Sequence, residues 1–537
     1  MGVLDLATTN YRYPLLVAAA LAVGACTESD GNDAGAAPIS QPRKEAVVLL
    51  AAEWGGAWPA GLDPATNTTA RPDATQMNAI FGGLFQLVAT PGGVAIKGVL
   101  AEGYEIADDG HTILIRLRKD VRFSDGTPFD AEAVKFNIVR DLAEPCTCSP
   151  RGWPWVESNP VTVVDEHTVA LHFARPYAPV IHSLPVSNVN WIASPTALMR
   201  MGGDQFRITP VGAGPFKVVS NQFSTKVVLE RNPDYWERGK PYLDRLIFQS
   251  IGSEQAAYQA LLAGDAHAYE GMTSTPLVKQ AQENGRLVVT QQPPTSPYVI
   301  QLNTARPPFD DKRAREAIYY ATNVDAIREG IFHNWYPVSQ SFTGPGGLFH
   351  HERVERYRTY DLERARALVH ELGGMRITLG TLRSFVSEQV TAALQSQWTQ
   401  AGIDVTIASY DVAPIIGQFR SGGWQALLQT SGSYDPEAGA SVSFRFRSDQ
   451  LYTGVHDPHL DGLLDRAAAS LDPAERDRIY IETSEYISDQ AYAPFLLAFA
   501  PAQVVVRGLE GPGLTTRIPA ILVNTGIIWQ DVRFVSE

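Results

Sequence analysis

Cysteine is almost absent from this 537-residue chain: Cys26, Cys146 and Cys148 are the whole complement. Three thiols cannot build a disulfide framework for a protein of this size, so the fold must rest on its core. Lysine is scarce too, with 9 Lys against 35 Arg, and acids outnumber bases by 58 to 44, for a net charge of −14. A nucleic-acid binder carries a basic footprint. No basic cluster is present, which excludes that class. Long apolar runs are missing after residue 30, where none approaches the roughly 18–20 residues of a spanning helix. Catalytic signatures are missing as well: there is no G-x-S-x-G elbow, no H-E-x-x-H, no P-loop and no Cys with a base beside it. The chain reads as a non-enzyme. What remains is globular composition, 45% apolar and 19% charged, over a length that predicts two or three domains.

The N-terminus has its own pattern. Arg12 precedes an apolar stretch over residues 15–25, which is signal-peptide length and too short to span a bilayer. Val23-Gly24-Ala25-Cys26 resembles the lipobox of bacterial lipoproteins, in which the Cys thiol is diacylated and becomes the new N-terminus. Residues 27–42 (TESDGNDAGAAPISQP) are small, polar and tether-like. The expectation is a signal peptide over 1–25, lipid on Cys26, a flexible tether over 26–45, and a protein held at the extracytoplasmic face of the cell membrane. Anionic headgroups repel an acidic body, so the acyl chains must hold it.

Along the mature chain, residues 46–52 form a continuous apolar run suited to a buried strand. Strands are expected over 112–118, 162–164, 168–173, 216–219, 226–230 and 245–250. Helices are expected over 78–87, 130–140, 253–263, 312–320, 361–371, 386–400 and 473–489, with Asp130 as an N-cap. Strands and helices mix throughout and no repeat recurs. The fold class is α/β with non-sequential domains.

From residue 99 a more specific pattern begins. The run VLAEGYEIADDGHTILIRLRKDVRFSDGTPFDAEAVKF (99–136) is followed by Gly212-Ala213-Gly214-Pro215-Phe216, Asn232-Pro233-Asp234-Tyr235-Trp236 and Lys240-Pro241-Tyr242-Leu243-Asp244. Then come LLAGD (261–265), NTARPPFDD (303–311), RAREAI (313–318), AGIDV (401–405) and Tyr434-Asp435-Pro436. In this order they resemble the family 5 (peptide/nickel-type) solute-binding proteins of ABC importers, over essentially the whole mature chain. The residues also have local readings. Asp125-Gly126-Thr127-Pro128 is a turn in which Gly takes positive φ and Pro sets the exit. Gly212 and Gly214 mark a close backbone approach, and most of these motif residues read as scaffold. The resemblance implies a three-domain, two-lobed fold of periplasmic-binding-protein type with a hinged cleft. Domain I would be discontinuous, over 46–75, 205–295 and 505–537, with domain II over 76–204 and domain III over 296–504. It further implies a monomer that binds a small molecule or peptide, takes no cofactor, and delivers its solute to permease subunits served by separate ATPase subunits.

The resemblance also locates a site. Peptide-binding members hold the peptide ammonium with an Asp three residues before the Asp-Pro pair. That position is Gly432 here, and Gln429 stands where the family often has Trp. A buried ammonium without its carboxylate costs several kcal/mol, so either the solute has no free amine there, or Asp435 or Glu437 takes over. Candidate contacts are Trp54, Trp58, Tyr298, Gln429, Ser431, Gly432, Ser433, Tyr434 and Asp435. Trp153 and Trp155, in a Pro-rich loop, are further aromatic candidates. Cys146-Thr147-Cys148 is too tight for a relaxed disulfide. His350-His351 and His456/His459 lack metal-ligand spacing, so no metal is expected. Three readings follow: a receptor for an oligopeptide or peptide-like solute, the same receptor for a non-peptide (glycan, siderophore-like compound, antibiotic), or a sensor or envelope-assembly lipoprotein binding a protein partner.

Overall fold

The computed structural model describes residues 44–535 apart from 52–57, 59–60, 67–73, 91–92, 108–109, 144–152, 292–293, 431–441, 444, 451–452 and 517–526. Cys26, Cys146 and Cys148 lie outside the described residues, as does the expected tether as far as residue 43; its last expected residue, Glu45, is instead the first of a strand.

The apolar run from residue 46 becomes the strand Glu45–Ala51, which after the exposed Glu45 packs into a core on each face, Leu49 and Ala51 on one and Ala46, Val48 and Leu50 on the other. A strand covered on both faces has no polar alternation to show, which is why it reads as a continuous apolar run. It pairs in parallel with Arg245–Ile251 on one side and Ala268–Met272 on the other. The seven-stranded sheet built around it runs Leu287–Gln291, Ala502–Val506, Ala268–Met272, Glu45–Ala51, Arg245–Ile251, Lys226–Arg231, Phe216–Gln222. A five-stranded sheet runs Ile403–Tyr410, Met375–Leu382, Ala426–Thr430, Ser296–Leu302, Phe495–Phe499, and a four-stranded antiparallel sheet draws on residues 101–172. Helices cover the five-stranded sheet: Leu394 and Trp398 of Phe385–Gln400 share a core with Ile377, Leu379 and Ile403.

Helix boundaries follow side-chain caps. Asp130 accepts from the Ala133 N–H at 2.9 Å ahead of Ala131–Ala143, Ser253 from Ala256 ahead of Glu254–Ala263, and Asp472 from Ala474 ahead of Pro473–Asp489. One expected helix is corrected. Residues 78–87 are not a single helix: Ala74–Phe81 is helical, Gly82 turns out of it at φ +68°, and Phe85–Thr90 is a strand paired with Gly93–Gly98. The reason is tertiary. Asn190 accepts from the Phe85 N–H at 2.9 Å and donates to the Phe85 carbonyl at 3.0 Å, so this backbone is taken by a residue 105 positions away.

The motif turns behave as their chemistry requires. Gly126 has φ +85° and Asp125 accepts from the Thr127 N–H. A Cβ on Gly214 would lie 2.6 Å from the Ile80 carbonyl carbon and oxygen, so helix Ala74–Phe81 rests against bare backbone there.

Candidate functional site

In the five-stranded sheet, Met375–Leu382 pairs in parallel with Ile403–Tyr410 on one side and Ala426–Thr430 on the other. The chain therefore crosses outward in both directions from Met375–Leu382, a topological switch point of the kind outside whose carboxyl ends ligands bind. Glu45–Ala51 has the same relation to its two parallel neighbours in the seven-stranded sheet. The two switch points feed the two stretches that carry the candidate contacts. Trp54 follows Ala51, and Ser431, Gly432, Ser433, Tyr434 and Asp435 follow Thr430; all six lie outside the described residues, as does Glu437.

The described edge of the second stretch is polar. Gln429 faces out of the sheet opposite Val299 and donates from Nε2 to Gln301 Oε1 at 3.3 Å. Gln301 is fully buried and donates from its own Nε2 to the Arg445 carbonyl at 3.0 Å. Arg445, 6% exposed, returns the contact: Nη1 donates to Gln429 Oε1 at 2.7 Å and Nη2 to the Thr430 carbonyl at 3.1 Å. A buried amide, a half-buried amide and a buried guanidinium thus hold the carboxyl end of Ala426–Thr430. At the same edge, Arg383 is exposed, donates its N–H to the Tyr410 carbonyl and pairs with Asp411 at 3.2 Å. Sequence reasoning missed Gln301, Arg445 and Arg383. A signal existed for one of them: Arg445 stands between Phe444 and Phe446, an unusual place for a guanidinium unless it is held.

In the seven-stranded sheet, Glu270 is fully buried opposite Leu50 and Gln503. Thr75 Oγ1 donates to its Oε1 at 3.3 Å, and burial pushes its carboxyl up to about 8. Thr75 is itself held by Trp529 Nε1, which donates to the Thr75 carbonyl at 2.9 Å. This acid also escaped sequence reasoning, because Ala268-Tyr269-Glu270-Gly271 gives no sign of depth.

The remaining candidates have plain positions. Trp58 is 1% exposed, packs with Leu62, Met77 and Phe81, and donates from Nε1 to Asn221 Oδ1 at 2.8 Å. Tyr298 is 2% exposed against Phe332 and Phe499. Trp153 and Trp155 stack at 5.7 Å beside Phe173 and Tyr177. His350 contacts the Thr343 carbonyl, His351 contacts Asp477, and His459 lies against Tyr486. Among the described residues no group of three or more His, Cys, Asp or Glu could hold a metal, and no helix is long and apolar enough to cross a membrane. A cavity of about 470 Å³ at the opposite end of Ala426–Thr430, between Arg306, Tyr410 and Trp424, includes none of the candidate contacts.

Comparison with known proteins bears on the family and the fold. The family described as bacterial extracellular solute-binding proteins, family 5 Middle, matches residues 95–451. The glutathione-binding protein GsiB of Shigella flexneri serotype 5b is 26% identical, over 73% of this chain and 78% of the relative. GsiB of Salmonella paratyphi A is 29% identical over the same shares. Among solved structures, the periplasmic binding protein DppA of Helicobacter pylori, in complex with peptide STSA, superposes with a TM-score of 0.78 at 20% identity, covering 92% of this chain and 99% of that one. AgaA of A. tumefaciens R10, in complex with agropinic acid, gives 0.79 at 21% identity with the same coverage. Binding proteins of this kind capture solutes and do not transform them. The chain belongs to the bacterial extracellular solute-binding proteins, family 5.

Proposed function

We propose that this protein is a lipid-anchored receptor that captures an oligopeptide or peptide-like solute between two lobes and delivers it to an ABC permease. The observation that carries the proposal is the polar edge at the switch point. Gln301, Gln429 and Arg445 fix the end of Ala426–Thr430 with hydrogen bonds rather than with apolar packing. Amides and backbone groups so held recognise an extended, hydrogen-bonding solute, with water filling the remaining space. The solute would meet Gln429, Ser431, Gly432, Ser433, Tyr434, Asp435 and Trp54, with Trp58 and Tyr298 packed behind. Glutathione and peptide STSA, named for two similar proteins, are peptides. In this reading residues 46–75, 205–295 and 505–537 form one domain, 76–204 a second and 296–504 a third, with Cys26 carrying the lipid.

Native mass spectrometry of the full chain purified from its own cells tests this directly. The expected result is loss of residues 1–25, a diacylated Cys26, and bound masses that fragment as peptides. A single bound compound that does not fragment as a peptide overturns the cargo reading.

A second reading keeps the receptor and changes the solute to a non-peptide. Gly432 favours it, since it removes the carboxylate that would hold a peptide ammonium. Agropinic acid in AgaA is the corresponding case among similar structures. If Gly432 is the cause, Gly432→Asp gains at least about tenfold in affinity for a free-amine peptide, roughly 1.4 kcal/mol. An unchanged affinity in isothermal titration counts against that reading.

A further inference from the structure

We propose that Arg445 is the positioning residue of the solute site: it sets the orientation of the Gln429 amide and the place of the Thr430 carbonyl at the switch point. The inference rests on the reading of Gln429 as a solute contact. Its basis is a closed ring of hydrogen bonds among residues far apart in sequence. The Arg445 guanidinium holds Gln429 Oε1 at 2.7 Å and the Thr430 carbonyl at 3.1 Å. Gln429 Nε2 donates to Gln301 Oε1 at 3.3 Å, and Gln301 Nε2 donates to the Arg445 carbonyl at 3.0 Å. An amide has two orientations, and which one it adopts is decided by its partners. Here a donor on the oxygen and an acceptor on the nitrogen settle it. Each engaged Gln429 atom keeps one further lone pair or N–H, so the solute meets an amide whose orientation is fixed in advance.

Packing alone does not call for this arrangement. Apolar residues flank the ring: Val299, opposite Gln429 in the sheet, shares a core cluster with Val442 and Phe446. A buried guanidinium there is a poor source of stability, because an apolar side chain of similar volume is often as good or better. A Lys ammonium has donors enough for both oxygens but lacks the fixed planar fork by which the guanidinium sets their relative positions. Preorganisation of a binding edge reduces what the solute must order on arrival.

The experiment compares the full chain with Arg445→Met, Arg445→Lys and Gln301→Met. Reduced glutathione and trialanine are the calorimetric probes, thermal unfolding is the stability readout, and hydrogen exchange follows the amides of residues 428–430. Arg445→Met is expected to weaken the better probe at least tenfold while its melting temperature is unchanged or raised, and to speed exchange at those amides. Arg445→Lys recovers part of the affinity. Gln301→Met weakens binding similarly, and the Arg445→Met/Gln301→Met double variant is no worse than either single one, because both break the same ring. Binding within twofold of wild type in Arg445→Met, or additive losses in the double variant, overturns the proposal. If Arg445→Met does not fold, Arg445→Lys and Gln301→Met decide on the same criteria. If neither probe binds the wild type, the cargo reading fails by itself. Hydrogen exchange, which needs no solute, then decides the positioning role: unchanged protection at 428–430 overturns it.

Discussion

Glu270 lies in the interior of a seven-stranded sheet with no exposure, and among the described residues its carboxyl takes one hydrogen bond, from Thr75 Oγ1 at 3.3 Å. Ionising it there is costly because water is absent, and its carboxyl is accordingly pushed up from 4.5 to about 8. Between those two values the folded chain holds one proton more than the unfolded chain. Stability therefore falls as pH rises through that window, by about 1.4 kcal/mol per unit, and is level below and above it. Glu270→Gln removes the proton and the slope together. Its melting temperature relative to wild type should climb by several degrees between about pH 5 and pH 8, measured by differential scanning calorimetry. Parallel curves for the two proteins would show that Glu270 is not the titrating group. At this scale the sequence is least legible. Glu270 and Gln301 owe their roles to depth and to partners more than a hundred residues away, which no local pattern encodes, whereas Arg445 reaches Gln429 and Thr430 only 16 and 15 residues back and leaves a trace in its two flanking Phe residues. Gly432, which lies outside the described residues, is singled out only because the motif around it sets a register.

Elements were easier to read, and the reason is locality. The helix Pro473–Asp489 and the capped starts at Asp130 and Ser253 depend on side chains within a few residues of the backbone they satisfy. The helix expected over 78–87 failed where a distant residue, Asn190, decided the conformation. Two motif glycines separate the possible causes of a glycine requirement. Gly126 has φ +85° and open space around its Cβ position, so Gly126→Ala should cost only about 1 kcal/mol of conformational strain. Gly214 faces the Ile80 and Ala79 backbone at 2.6–2.7 Å. Backbone cannot rotate away, so Gly214→Ala must push the helix Ala74–Phe81 outward, at roughly 2–4 kcal/mol. Urea unfolding of the two variants checks the order. An equal loss in both would mean that the helix yields without cost.

The whole molecule joins regions that the sequence keeps far apart. Arg175, which follows the last strand of the four-stranded sheet, pairs with Asp465 of helix Pro458–Ala469 at 2.5 Å, and Arg447 pairs with the same carboxylate. Beside them the Ala178 N–H donates to the Ala468 carbonyl at 2.8 Å, and Ala468 joins the apolar cluster of that sheet. Two-lobed receptors close on solute by hinge motion, and this contact spans the segments proposed above as the second and third domains. It should therefore form on closure and break on opening. The Arg175–Asp465 pair is partly exposed, with side chains 34% and 43% accessible. Such pairs contribute about 0–1 kcal/mol, and a ligand-linked equilibrium converts that into at most about a fivefold change in population. Arg175→Ala is accordingly expected to weaken solute affinity no more than fivefold, leave solute-free stability unchanged, and raise the radius of gyration of the solute-bound protein in X-ray scattering toward that of the free protein. If the contact instead persists in both states, Arg175→Ala shifts both scattering profiles alike and affinity does not move. The lobes would then meet elsewhere on closing, and the hinge axis would have to pass through the Arg175–Asp465 contact itself.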